Sequence, residues 1–266
     1  METIMDKMLY VAMSGAKQNM QALAINANNL ANAKTTGFKA DLAQARTMQA
    51  FGEGQPTRVF SMTERASQNF DSGALLTTGR PLDMAIKGDG WFAVQTPEVG
   101  NARSQVGGNT LAVSNEAYSR QGHLRLTEDG TLETSNGELV LGDNGPIVVP
   151  LPVSNIQISS DGTIMVQPEG APSSEQEEVG RIKLVNPDVR FLEKGADGLF
   201  RRKDGQAELA NANVQVQGGA LESSNVNPLS EMTDMIALQR QFEMHLKLMK
   251  TAEEVDASSA ALLRAF

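Results

Sequence analysis

Two histidines, His123 and His245, are the only imidazoles in the chain, and cysteine is absent. Thiol catalysis, disulfides and cysteine-based metal sites are therefore excluded. His123 sits between Gly122 and Leu124 in a predicted strand, and His245 falls in a predicted helix. Neither stands in a His-Glu-x-x-His motif or beside carboxylates at ligand spacing, so both read as ordinary core or surface residues. Gly88-Asp89-Gly90 lacks the third glycine and the following helix of a dinucleotide-binding loop, which makes it a turn. No phosphate-binding Gly-Lys-Ser/Thr occurs, and Ser14-Gly15 lies inside a helical stripe, outside the strand–turn–helix setting of a nucleophile elbow. What remains is acid–base chemistry from some pair among 32 acidic residues, as in glycoside hydrolysis. A cell-wall glycan hydrolase with its helices as a stalk is thus the different-class alternative. No catalytic residue, cofactor, metal or small-molecule substrate is assigned.

The elements themselves carry more information. From Leu9, apolar residues fall at alternating spacings of four and three: Leu9, Met13, Ala16, Met20, Leu23, Ala27 and Leu30. This is a coiled-coil stripe. A second stripe runs through Met232, Met235, Phe242, Leu246 and Met249, with Gln239 its polar member, until Glu253 and Asp256 interrupt it. Beyond them the apolar face drifts to Leu248, Ala252, Val255, Ser259 and Leu262. The first helix is predicted over residues 6–33 and spans roughly 40 Å; Thr35-Thr36-Gly37 ends it. The second opens at Asn227-Pro228, a cap followed by proline at the first helical position, and runs to about residue 263. Asn19, Asn26 and Asn29 lie on or beside the first stripe, as a solvated flank or as polar contacts that fix register against neighbouring helices.

Between the helices the pattern changes to short alternating runs punctuated by Asp-Gly and Asn-Gly. Leu82 to Ile86 and Trp91 to Gln95 are predicted as a hairpin about Gly88-Asp89-Gly90. A meander follows over residues 118–127, 131–134 and 138–141, turning at Asp129-Gly130 and Asn136-Gly137. Residues 96–115 and the acidic stretch 168–180 read as surface loops. The expected fold class is α+β: long N- and C-terminal helices paired as a coiled coil, with a mainly antiparallel β-rich central domain. The expected division is a helical arm at 1–40, an extended connector at 41–79, the β-rich domain at 80–222 and a second arm at 223–266.

Bulk properties agree with such a chain. At 266 residues there is length for more than one domain, and aromatic content of 5% calls for a mostly aliphatic core. A net charge of -9 argues against nucleic acid as a partner. No apolar run is long enough to cross a bilayer, and Lys17, Gln18 and Asn19 break the only apolar stretch near the start, so no cleaved signal peptide is expected.

Four ordered blocks resemble the bacterial flagellar rod and hook protein family. They are Ala27-Asn28-Asn29-Leu30-Ala31-Asn32 with Thr35-Thr36-Gly37-Phe38-Lys39; Leu82 through Phe92; Tyr118-Ser119-Arg120-Gln121-Gly122 with the two turns and Glu138 to Gly142 behind it; and Ser224-Asn225-Val226-Asn227-Pro228 leading into Met232 to Ile236. The opening at Met8, Trp91, the Asn227-Pro228 pair and the length are most similar to proximal-rod members, with distal-rod or hook-type members the alternative.

The resemblance implies a non-enzymatic rod subunit that carries torque across the periplasm and is exported through the flagellar type III apparatus. Its partners would be other rod proteins and copies of itself. The subunit-interface residues expected are Leu9, Met13, Ala16, Met20, Leu23, Asn26, Ala27, Asn29 and Leu30 on the first helix and Met235, Phe242, Leu246 and Met249 on the second. Met13 and Met20 suit the role, because an unbranched thioether adapts to non-identical neighbours.

Overall fold

A computed structural model describes residues 2–49, 59–63, 67–96, 105–106, 109–110, 115–172 and 175–264. The chain divides into two units. One holds Met1–Ala33, Lys39–Asn69 and Val226–Phe266; the other holds Lys34–Phe38 and Phe70–Asn225. The class is α+β, as the patterning predicts.

The first unit is helical. Its long elements are α1, Glu2–Ala31, and α2, Pro228–Arg264. Asn227 caps α2 through its side-chain oxygen, which accepts from the Leu229 and Ser230 amides at 3.1 and 3.4 Å, and proline follows at the first helical position. Residues 41–79, read as an extended connector, are shared between the units. Ala45–Gln49 and Val59–Thr63 form an antiparallel hairpin beside α1, and Asp41–Leu42 pairs with Ser67–Gln68. Alternation was too weak there to announce strands, because pairing is set by a partner strand and not by one apolar face.

The second unit is the β body. Its main sheet runs in the order Leu124–Leu126, Leu132–Thr134, Leu139–Gly142, Trp91–Gln95, Glu116–Ser119, Phe200–Arg202, Leu192–Lys194, all neighbours antiparallel. The predicted meander is there. Gly130 and Gly137 take φ of 79° and 93° at its two turns, as left-handed turn positions require. Val153–Ile158, Thr163–Pro168 and Glu177–Arg181 make a separate antiparallel sheet, so the end of the expected acidic loop, from Glu177, is an edge strand. Most of the expected loop at 96–115 lies outside the described residues; Gln105–Val106 and Asn109–Thr110 pair with each other.

The hairpin predicted about Gly88-Asp89-Gly90 does not form. Met84–Lys87 pairs instead with Gln215–Gly218, whereas Trp91–Gln95 pairs with Glu116–Ser119, Leu139–Gly142 and Leu184–Val185. Met84, Ala85 and Ile86 are all buried, as are Trp91, Phe92, Ala93 and Val94. Strands covered on both faces have no solvent side to offer a two-stranded ribbon, so each joins a different sheet. Two aliphatic and aromatic clusters fill the body, one around Met84, Phe92, Leu124, Leu132, Ile164 and Ile182, the other around Trp91, Tyr118 and Phe200.

Candidate functional site: the faces of the helical unit

α1 and α2 pack on each other in antiparallel sense. Asn29, late in α1, donates to Glu231 early in α2 at 3.4 Å, while Gly15, earlier in α1, lies under the ring of His245 further along α2. A Cβ on Gly15 would stand 2.6 Å from the His245 Cε1, so only glycine leaves the ring its place without a shift.

Which faces meet differs from the expected seam. On α1 the buried residues are Ala12, Ala16, Asn19, Ala22 and Asn29. On α2 the covered row is Met235, Leu238, Phe242, His245, Met249 and Ala252, spaced alternately three and four. Of the residues assigned from the sequence, Ala16 and Asn29 are buried, and Leu9, Leu23, Asn26, Leu30, Met235, Phe242 and Met249 are partly covered. Met13, Met20, Ala27 and Leu246 are exposed, as is Gln239, whose place in the row Leu238 takes. The α1 face is turned because Ala12, Gly15, Ala16 and Ala22 are small, and small residues let two backbones approach where Met13 and Met20 would hold them apart. A row of small residues at three- and four-residue spacing was the available signal; a reading that ranks residues by hydrophobicity passes over it.

The polar residues of the seam divide into satisfied and unsatisfied. Asn29, 2% exposed, is satisfied: its carbonyl oxygen accepts from the Asp41 amide and its Nδ2 donates to the Asp41 carbonyl, both at 2.9 Å. One side chain thus clamps both backbone groups of Asp41, the first residue of the short strand that follows the helix. Glu231 is held above the usual carboxylate range, chiefly by burial, with Asp234 adding repulsion and the Asn29 bond opposing. Asn19 Nδ2 and His245 Nδ1 are buried and meet no partner among the described residues. Each such group costs about 1–3 kcal/mol.

The outward faces carry large apolar side chains among charged ones. Tyr10, Met13 and Met20 on α1 and Leu229, Met232, Ile236, Met244, Leu246, Leu248 and Val255 on α2 are all exposed, Met13 and Met20 at 55% and 59%. No group of His, Asp or Glu among the described residues could hold a metal, and no described helix is long and apolar enough to cross a membrane. His123 bonds Asp83 at 2.8 Å in the β body, a structural contact.

Three family profiles match in chain order. One, flagella basal body rod protein, covers residues 9–39; a second, the flagellar hook protein FlgE/F/G D1 domain, covers 85–166; a third, the flagellar basal body rod FlgEFG protein C-terminal, covers 217–262. The flagellar basal-body rod protein FlgF of Salmonella typhimurium is 36% identical over 265 residues, 97% of this chain and 99% of that protein. The chain belongs to the flagellar basal-body rod protein family. The FlgF proteins of Escherichia coli, 36% identical over 94% of this chain and 95% of theirs, and of Caulobacter vibrioides, 34% over 97% and 98%, are similarly related. FlgF is the member to which the Met8 opening, Trp91 and the Asn227-Pro228 pair pointed. The first and last profiles fall on the two helices of this FlgF-like chain, and the middle one falls on its β body.

Proposed function

We propose that this protein is a structural subunit of the bacterial flagellar basal-body rod, without enzymatic activity. It assembles with other rod proteins and with copies of itself through its terminal helices. The observation that carries this reading is the set of large apolar side chains left outward on both helices. α1 meets α2 through a small and polar face that covers Met235, Leu238, Phe242 and Met249, while Met13, Met20, Met232, Ile236 and Met244 remain available for burial. An assembly in which neighbouring helices cover those side chains recovers apolar area that one copy leaves in water.

The two unpaired polar atoms support the same reading. They weaken the pair as it stands in a single chain, which leaves stability to be gained from neighbouring helices. The spacing of the covered α2 row fits a short antiparallel coiled coil. Head-to-tail contacts that do not close on themselves would give a helical shaft. The FlgF likeness favours the proximal rod over a distal-rod or hook-type place, and with it a periplasmic shaft that transmits torque and is supplied by type III export. The glycan-hydrolase alternative is set aside, since the relatives are rod proteins.

Leu23→Asp or Phe242→Asp, each placing a charge in the covered seam, is expected to block incorporation into isolated basal bodies. The β body should keep the buried fluorescence of Trp91, its sole tryptophan. Normal incorporation of either variant would overturn the assignment.

A further inference from the structure

Arg120 and Glu222 form an ion pair at 3.0 Å with side chains 3% and 1% exposed, deep in the β body. All three nitrogens of the guanidinium donate hydrogen bonds. Nε donates to the Gly90 carbonyl at 2.9 Å, Nη2 to the Gly88 carbonyl at 2.8 Å, and Nη1 to both Glu222 oxygens and to Ser72 Oγ at 3.2 Å. The face of the guanidinium lies 5.1 Å from the Trp91 ring centroid. Glu222 in turn accepts from the Gly73 amide through Oε1 at 2.9 Å, and its backbone carbonyl accepts from the Gly37 amide at 2.8 Å.

Four of the residues gathered around Arg120 come from the ends of the body's chain segments. The chain passes between the two units after Ala33, Phe38, Asn69 and Asn225. Gly37 lies one residue before the second passage, Ser72 and Gly73 just after the third, and Glu222 just before the fourth. Two glycines make the convergence sterically possible. A Cβ on Gly37, whose φ is +68°, would meet the Arg120 backbone at 2.4 Å, and one on Gly73 would meet the Ser223 carbonyl at 1.9 Å. Lys194 over the Phe38 ring at 4.0 Å holds the same short segment from its other side.

We infer that Arg120 and Glu222 are positioning residues that gather the tethers of the β body at one buried site, so that force entering by any tether is shared among all of them. A hydrophobic pair would fill the space but could not hold Gly88, Gly90, Ser72 and Glu222 at once; the fork of arginine does. The mechanical half of the inference rests on the rod reading, and the structural half does not.

Two variants of the full chain test it. Arg120→Lys keeps the charge but loses the fork, and Arg120→Met with Glu222→Leu removes both charges, so that neither is left buried alone. Amide exchange at Gly37 and Gly73 is expected to rise about 10- to 100-fold in both, the equivalent of one charge-assisted hydrogen bond. Val94, Ala117 and Val140 in the core should exchange within a few-fold of the parent. Unchanged rates at Gly37 and Gly73, or an equal rise in the core, would overturn the structural half. Cells carrying Arg120→Lys are expected to swim normally in thin medium and to fail as viscosity rises. Equal swimming at every viscosity, or equal loss, would overturn the mechanical half while leaving the exchange result standing.

Discussion

The double variant Met13→Gln/Met20→Gln separates a residue that stabilises the chain from one that joins it to others. Both positions are more than half exposed on α1, at 55% and 59%. Glutamine matches methionine in length and in helix propensity, so the isolated chain should lose less than about 0.5 kcal/mol, the usual range for surface changes. In an assembly that covers this face, each methionine has slightly more than half of its side chain left to bury. Full burial is worth about 1.5–3 kcal/mol, so the remainder is about 1–1.5 kcal/mol per residue, and about 2–3 kcal/mol for the two together. That weakens each inter-subunit contact about 30- to 150-fold. Urea unfolding followed by helical circular dichroism checks the first half; recovery of the variant in isolated basal bodies, against recovery in the culture medium, checks the second. A large loss of monomer stability would place Met13 and Met20 inside the seam after all. Undiminished incorporation would mean that this face of α1 stays in water in the rod.

Other substitutions probe the clamp and the charge buried in the body. Asn29→Ala removes both of its hydrogen bonds to the Asp41 backbone, and should lower the stability of the helical unit by about 1–3 kcal/mol, read as a lower urea midpoint by circular dichroism with the Trp91 signal unchanged. Glu138 is held above the ordinary glutamate value of 4.5, first by burial and then by the charge of Asp197. The fold therefore favours its protonated form, a contribution fully present below pH 4.5 and lost as pH rises through the raised value. Glu138→Gln should flatten that dependence, leaving the variant level with the parent in acid and more stable at neutral pH; parallel urea-midpoint curves from pH 4 to 8 would contradict the assignment.

Much of this architecture is legible in the residues. Asn227-Pro228 marks the start of α2, and the Asp-Gly and Asn-Gly dipeptides mark the meander, because caps and left-handed turns are local requirements met by few residue types. The face of each helix is another matter. Gln239 and Leu246 sit in the apolar period yet are exposed, while Leu238 and His245 are covered. The choice was made by Ala12, Gly15 and Ala16 across the seam, whose contribution is closeness of approach and not hydrophobicity. The pairing of Met84–Lys87 with Gln215–Gly218 and the meeting of Arg120 with Glu222 across 102 residues are equally hidden, since nothing near either partner announces the other. Asn29 shows a different kind of signal: an asparagine late in a helix is unfavourable unless its amide is used, and here both ends of the amide bond Asp41 of the same chain.

The contact between Asn29 and Glu231 joins residues 202 positions apart, and every pairing of α1 with α2 spans the whole β body in sequence. A chain made from its N-terminus completes the meander, whose strands pair with near neighbours, long before α2 exists. The first helix therefore lacks its partner until Pro228–Arg264 has been added, and a chain interrupted before that segment cannot form the helix pair at all.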